Sequence, residues 1–225
     1  MKRLVIVPAR SGSKRLKNKN FKFIDGKPMI NFTLNNLIRS KLFDTVHVSS
    51  DINVKNKIIN HKKIDYFLRP KNLSGDKTII NDVVKWVINE YEKKNKFFDT
   101  ICVAYATAPL VEPNDFLKAC KLFEKSNLRI PLLSVCELKP SIDEAMQLNE
   151  KKLVPLSRKK FFMDSKKHKK YFYDSASFMF AEKNHFFKNR KKPTYLKYEL
   201  DRYKGIDIND KNDFAFLKKI FKNKK

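Results

Sequence analysis

The sequence predicts an α/β fold, a doubly wound and mostly parallel sheet. Two observations carry this expectation. Short apolar runs rich in β-branched residues alternate with stretches of helical period. Several of those runs also end in a polar or basic residue, at the carboxyl edge where such sheets hold ligands. The 225 residues suit one domain with a real core, and 42% of them are hydrophobic.

Residues 4–7, Leu-Val-Ile-Val, read as a buried strand. Pro8 is expected to end its pairing, having no N–H to donate. A loop follows, and then a helix opens at 27–30 and runs to about Ser40. Its start carries Pro28, and its stripe is Ile30, Leu34, Leu37 and Ile38. Residues 43–50 read as a second strand with Asp51 just past its end. Residues 55–61 are expected to be helical. Residues 66–68 form a short strand ending at Arg69-Pro70.

Residues 82–93 read as a helix with Val83, Val84, Val87 and Tyr91 on or near one face. Residues 100–104 are a strand, followed by a turn at 106–109. Residues 114–125 are a helix with Phe116, Leu117, Cys120 and Phe123 inward, and 130–135 a strand. From 141 to 170 the pattern loosens and becomes basic. Residues 171–180 return as an aromatic strand. Residues 205–210 read as a strand end carrying carboxylates, 213–221 as a last helix, and 222–225 as a frayed tail. Arg10, Asp51, Arg69 and Thr107 each follow a predicted strand, so four distant segments are expected to meet at one sheet edge.

Composition narrows the classes. No apolar run of about 18 residues occurs, so no membrane span is expected. The N-terminus has no signal-peptide pattern. Cys102, Cys120 and Cys136 are odd in number and lie in apolar or helical contexts, which suits reduced packing residues. The net charge of +26 suits an acidic partner: a nucleoside triphosphate, an acidic sugar or nucleic acid. Yet the lysines are spread over the whole chain, as a compositional bias would spread them. A basic nucleic-acid-binding module, which needs cations clustered with aromatics on one face, is the rival reading that this dispersion opposes.

The loop of residues 9–20, ARSGSKRLKNKN, combines Ser11, Gly12 and Ser13 with Arg10, Lys14, Arg15, Lys17 and Lys19. Small residues, hydroxyls and long cations suit a triphosphate at the mouth of a parallel sheet. No G-x-x-x-x-G-K-[ST] is present, so this is not a P-loop. The residues by themselves equally suit an exposed basic loop.

PARSGSKRLKNKN closely resembles the N-terminal signature of the acylneuraminate cytidylyltransferases, relatives of the sugar-phosphate nucleotidyltransferases. Phe23, the segment 26–30, the segment 40–44 and Val48-Ser49-Ser50-Asp51 continue the resemblance, which runs more weakly to about Leu217. It implies a nucleotide-diphospho-sugar transferase-like, Rossmann-like fold of a single domain, residues 1–225, with a small protruding lobe near 141–170. It also implies a cytoplasmic, Mg²⁺-dependent enzyme that joins CTP to an acidic nine-carbon sugar, releases pyrophosphate, and works as a homodimer with no specific nucleic acid and no membrane. Surface polysaccharide synthesis and flagellin glycosylation use such products.

Carried over residue by residue, the resemblance implies Arg10, Lys14 and Lys19 as catalytic cations. It implies Ala9, Arg10, Ser11, Gly12, Ser13, Asn20, Arg69 and Thr78 as nucleotide contacts. The family's later hydroxyl positions are Ile79 and Ile80 here. Tyr105-Ala106-Thr107-Ala108-Pro109 replaces the Q-P-T-S-P of most sialic acid enzymes and, with Asp174 in FYDSA, is similar to the pseudaminic acid branch. That implies Tyr105, Thr107 and Asp174 as sugar contacts. His168, alone in a lysine run, is expected to be solvated rather than catalytic. Gly205-Ile206-Asp207-Ile208-Asn209 is similar to the family's I-D-I-D metal motif and implies Asp207 and Asn209 as ligands, with Asp51 available as a second carboxylate. Asn209 and the missing Gln also leave open a degenerate homologue with altered specificity.

Overall fold

The computed structural model describes residues 1–188 and 193–223. Its centre is a seven-stranded sheet among the described residues, in the order β11-β7-β10-β6-β1-β4-β5. The strands are β1 (Arg3–Pro8), β4 (Thr45–Ser50), β5 (Ile64–Leu68), β6 (Thr100–Ala104), β7 (Leu132–Glu137), β10 (Phe172–Glu182) and β11 (Leu196–Glu199). All neighbours are parallel except β10, which runs antiparallel to both β6 and β7. The fold is the expected α/β doubly wound sheet with one reversed strand.

Helix α1 (Met29–Arg39) and α3 (Pro113–Lys125) cover one face, where Val5, Val7, Ile30, Leu34, Leu37, Phe116 and Phe123 share a core. Helix α2 (Ile80–Glu92) covers the other, packing Val84, Val87 and Tyr91 on Leu4, Ile6, Ile101 and Val103. Alternate residues of β1 thus enter opposite cores, as strand pleating requires. Helix α5 (Lys211–Asn223) closes a third cluster with Leu16, Ile24 and Met29. Ile24 lies on the two-residue strand β2 (Phe23–Ile24), which pairs with β3 (Lys27–Pro28) just before α1. All three cysteines are free and buried, as expected of packing residues.

Pro8 stays in register with Ser49 of β4, and the backbone N–H of Ala9 still donates to the Ser49 carbonyl at 2.8 Å. Pairing therefore outlasts Pro8 on the β4 side and stops at Ile6 on the β6 side. This divergence opens the site. The chain passes from β1 to β4 and β5 on one side, then returns through α2 to β6 on the other. Ligands of open α/β sheets bind at such a switch point.

Two expected elements are absent. Residues 55–61 make only a turn, because Asn31 of α1 binds the Ile59 N–H at 3.0 Å and ties the segment to the helix instead. Residues 205–209 form no strand. Ile208 is buried against α5, so Asp207 and Asn209 still project to one side without a ladder. The edge strand β11 had no counterpart in the sequence reading. Residues 224 and 225 of the expected frayed tail lie outside the described residues, and Lys222 is helical.

Residues 142–167 build a separate piece: the hairpin β8 (Met146–Asn149) and β9 (Lys152–Pro155), then the short helix α4 (Arg158–Phe161). Asp143 ties it together, accepting from Lys160 at 3.0 Å and from the Tyr171 hydroxyl at 3.1 Å. His168 is enclosed here rather than solvated. Its ring lies 3.0 Å from a Glu144 carboxylate oxygen and 3.0 Å from the Lys160 carbonyl.

Candidate active site

The carboxyl ends of β1, β4, β5 and β6 bring the four expected segments together. A cavity of about 250 Å³ lies between them, lined in part by Arg10, Lys19, Arg69, Thr78, Tyr105 and Thr107. A second, of about 280 Å³, adjoins it and is lined by Arg10, Lys14, Arg15, Lys19 and Asn209 among others. Ser13 and Asp76 border both, and Asn20 borders the first. Five cations around two joined hollows make a strongly anion-attracting site.

The loop after β1 is braced from within the protein. Ser11 donates its N–H to Asp51 at 2.7 Å and its hydroxyl to the other Asp51 oxygen at 2.8 Å. Burial opposes ionisation of Asp51, but these two donors, with Asp51's own N–H and the charge of Arg69, together hold the carboxyl below its ordinary range. Asn20 donates to the Arg10 carbonyl at 2.9 Å. Ser50 donates to the Ala9 carbonyl at 2.7 Å, and the Ala9 methyl is buried in the core. Ala9, Ser11, Gly12 and Asp51 are therefore not among the described residues lining the two cavities. Ala9, Ser11 and Asp51 set the loop's path. Asp51, anticipated as a metal carboxylate, has both oxygens committed to Ser11.

Arg69 is buried and donates through Nε and Nη2 to the Ser49 hydroxyl and carbonyl at 3.1 and 2.7 Å. It presents a fixed edge to the cavity rather than a free fork. Ile80 adds an apolar wall to the same cavity.

The 205–209 segment supplies the acidic side. Asn209 Nδ2 donates to Asp207 at 2.6 Å, while Asn209 Oδ1 accepts from Arg15 at 3.0 Å and from Lys19 at 3.5 Å. Burial pushes the Lys19 ammonium below its ordinary value; Asp207 opposes that shift, and Arg15 and Arg10 add to it. Asp210 does not face this group. It caps α5, accepting from the N–H groups of Asn212 and Asp213, while Asp213 returns a bond to the Asp210 N–H. This is a reciprocal capping box, legible as D-x-x-D before an apolar stripe.

Tyr105 links the two halves. Burial first, then the nearby charges of Asp174 and Asp207, push its hydroxyl up to about 12. Asp174 sits where β10 loses register with β7 and accepts from the Ala176 N–H at 2.8 Å. Arg15 and Asp76 were not singled out as site residues. Arg15 was visible only as one cation among several, and Asp76 lies 66 positions from its partner Arg10.

The sequence model of the family described as cytidylyltransferase matches residues 4–223. The chain belongs to that family. A pseudaminic acid cytidylyltransferase of Campylobacter jejuni is 32% identical over 99% of this chain and 97% of its own. An N-acylneuraminate cytidylyltransferase of Escherichia coli is 24% identical over 94% of this chain and 50% of its own. A CMP:2-keto-3-deoxy-manno-octonic acid synthetase, solved with CTP, superposes with a TM-score of 0.69 at 13% identity, covering both chains entirely. That likeness supports the fold. No helix among the described residues is long and apolar enough to cross a membrane.

Proposed function

We propose that this cytidylyltransferase joins CTP to an acidic nine-carbon sugar of the pseudaminic acid type, giving a CMP-sugar and pyrophosphate. The observation that carries the reading is the meeting of Arg10, Arg15 and Lys19 with Asn209 at one cavity, with Asp207 bonded to Asn209 and its charge near Lys19, in a chain similar over nearly its full length to a pseudaminic acid cytidylyltransferase. In this reaction the sugar's anomeric oxygen bonds to the α-phosphorus, the bond to the β-phosphate oxygen breaks, and the sugar hydroxyl loses its proton.

Arg10, Lys14 and Lys19 hold the triphosphate, Arg10 by a planar fork and the lysines as point charges. Fixed cations at a half-buried site stabilise the charge that develops on the leaving pyrophosphate. Ser13, Asn20, Arg69 and Thr78 shape the nucleoside side of the cavity. Tyr105, Thr107 and Asp174 take the sugar. The high value of the Tyr105 hydroxyl keeps it a neutral donor at physiological pH.

Magnesium fits the acidic side. Among the described residues no three His, Cys, Asp or Glu side chains gather to hold a metal unaided. Mg²⁺, however, is commonly held by one or two carboxylates plus substrate phosphates. Asp207 supplies one such carboxylate next to the phosphate cations, and Asn209, whose nitrogen faces Asp207 at 2.6 Å, would add its amide oxygen only by turning its amide over. When bound, the ion would polarise the phosphoryl oxygens.

The family resemblance supports a cytoplasmic homodimer joined through residues 141–170. The β8–β9 hairpin exposes the cross-strand pair Leu148 and Leu153 by 66% and 65%, a small apolar surface that a second copy would cover. Purified protein offered CTP, Mg²⁺ and a panel of nine-carbon sugars tests the assignment. Pyrophosphate release dependent on one of these sugars is expected, and release with none of them contradicts it.

A further inference from the structure

Asp76 pairs with two of the cations that line the cavities. Its Oδ1 accepts from Arg10 at 2.7 Å and its Oδ2 from Lys14 at 2.5 Å. The same carboxylate borders both cavities. It is carried by the segment after β5, whose backbone makes short turns such as Thr78 N–H to the Gly75 carbonyl, 3.2 Å, and accepts from the Arg69 and Ser74 side chains before Gly75. A guanidinium and an ammonium converging on one two-oxygen anion is the arrangement that recognises a phosphoryl group. A polyphosphate and Asp76 compete for the same two cations, and like charges at such range repel.

We propose that Asp76 is a built-in competing anion that sets how tightly the site holds polyphosphate, an inference that rests on the reading of this cavity as the CTP site. In the empty site Asp76 keeps Arg10 and Lys14 gathered at the cavity mouth. Incoming β- and γ-phosphates take those cations from it. After transfer the tethered carboxylate, present at high effective concentration, reclaims them and speeds the departure of pyrophosphate. The segment after β5 therefore moves with the occupancy of the phosphate positions. No bond is made or broken by Asp76 in this role.

The test compares the parent with Asp76→Asn, which keeps the shape and removes the charge. The Asp76 side chain is 43% exposed, so the change touches no core. CTP, pyrophosphate and cytidine are titrated calorimetrically at fixed Mg²⁺ and ionic strength, without sugar. Asp76→Asn is expected to bind CTP and pyrophosphate about tenfold more tightly, the scale of two exposed ion pairs. Cytidine, which has no phosphate, is expected to bind equally to both, and pyrophosphate is expected to become a stronger product inhibitor of the variant. If the parent binds CTP and the variant binds it equally or more weakly, Asp76 merely positions the cations and the competition is disproved, while the CTP site stands. If cytidine tightens as much as CTP, the effect is structural and the proposal also fails. A parent that binds no CTP removes the site reading and this inference with it.

Discussion

The amide of Asn209 stands between a carboxylate and two cations: its nitrogen donates to Asp207 at 2.6 Å and its oxygen accepts from Arg15 at 3.0 Å. A carboxylate at 209 would place two negative charges side by side and favour a cation between them. The amide instead joins the acidic and basic halves of the site without one. We therefore expect activity with a raised Mg²⁺ requirement. At saturating CTP and sugar, Asn209→Asp is expected to lower the half-saturating Mg²⁺ concentration, and Asp207→Asn to abolish turnover at every concentration. If Asp207→Asn titrates like the parent, Asp207 has no part in holding metal.

Arg10 and Lys19 face the joined cavities from one loop. Replacing either by Ala is expected to slow turnover by about 10²–10³-fold, the scale of a lost preorganised donor at about 2–4 kcal/mol, with the far-UV spectrum unchanged. Near-parental rates in both variants would move the chemistry elsewhere.

Gly205 anchors the acidic segment. A Cβ there would collide with the Cys136 sulfur and crowd the Ser175 Cβ, and the backbone is fixed by Gly205 N–H to the Asp201 carbonyl at 3.1 Å. Gly205→Ala is expected to destabilise by about 1–3 kcal/mol, lowering Tm by several degrees at this size. Calorimetry on Gly205→Ala alone and with Cys136→Ala checks it, since the second change should restore most of the loss.

His47 gives a pH signature in the core beneath the site. It is fully buried in β4 with Nδ1 3.0 Å from the Tyr91 hydroxyl. Burial, then Arg69 and Lys94, lower it from 6.5 to about 3. Below pH 6.5 the unfolded chain takes a proton that the folded one refuses. The stability tied to His47 is thus complete above pH 6.5 and falls toward pH 3, by up to about 1.4 kcal/mol per pH unit. His47→Gln is expected to show a shallower loss of Tm between pH 6.5 and 4, and equal slopes would contradict the assignment.

Much of this was legible in the sequence. The run Leu4–Val7 and the stripe Val83, Val84, Val87 and Tyr91 speak for strand and helix because burial on both sheet faces or on one stripe leaves no other pattern. The edge strand β11 was not legible, since LKYE has too few apolar residues to mark it. The segment 55–61 misled because a partner from α1, Asn31, takes the bond that a helix would make. In the site, the resemblance of the basic loop to the family signature named Arg10, Lys14 and Lys19. It did not reveal that Asp76 answers two of them or that Asn209 joins Arg15 to Asp207. The ion pairs of Asp76 and the Arg15–Asn209 bond are made by the fold across 62 to 194 positions of sequence.

The proposed sugar contacts, Tyr105, Thr107 and Asp174, carry a prediction about substrate choice. Tyr105 and Thr107 line the cavity, and by the resemblance Tyr105 stands in place of the Gln of Q-P-T-S-P. A higher kcat/KM for pseudaminic acid than for N-acetylneuraminic acid is expected in side-by-side assays, and the reverse order would overturn that specificity.

The most direct measurement is product analysis by mass spectrometry. The purified protein is incubated with Mg²⁺, CTP and pseudaminic acid, and pyrophosphate is followed in parallel. The account predicts a CMP-sugar and pyrophosphate in equal amounts, neither formed when the sugar is left out. CTP breakdown without sugar, or no CMP-sugar from any nine-carbon acid, would contradict it.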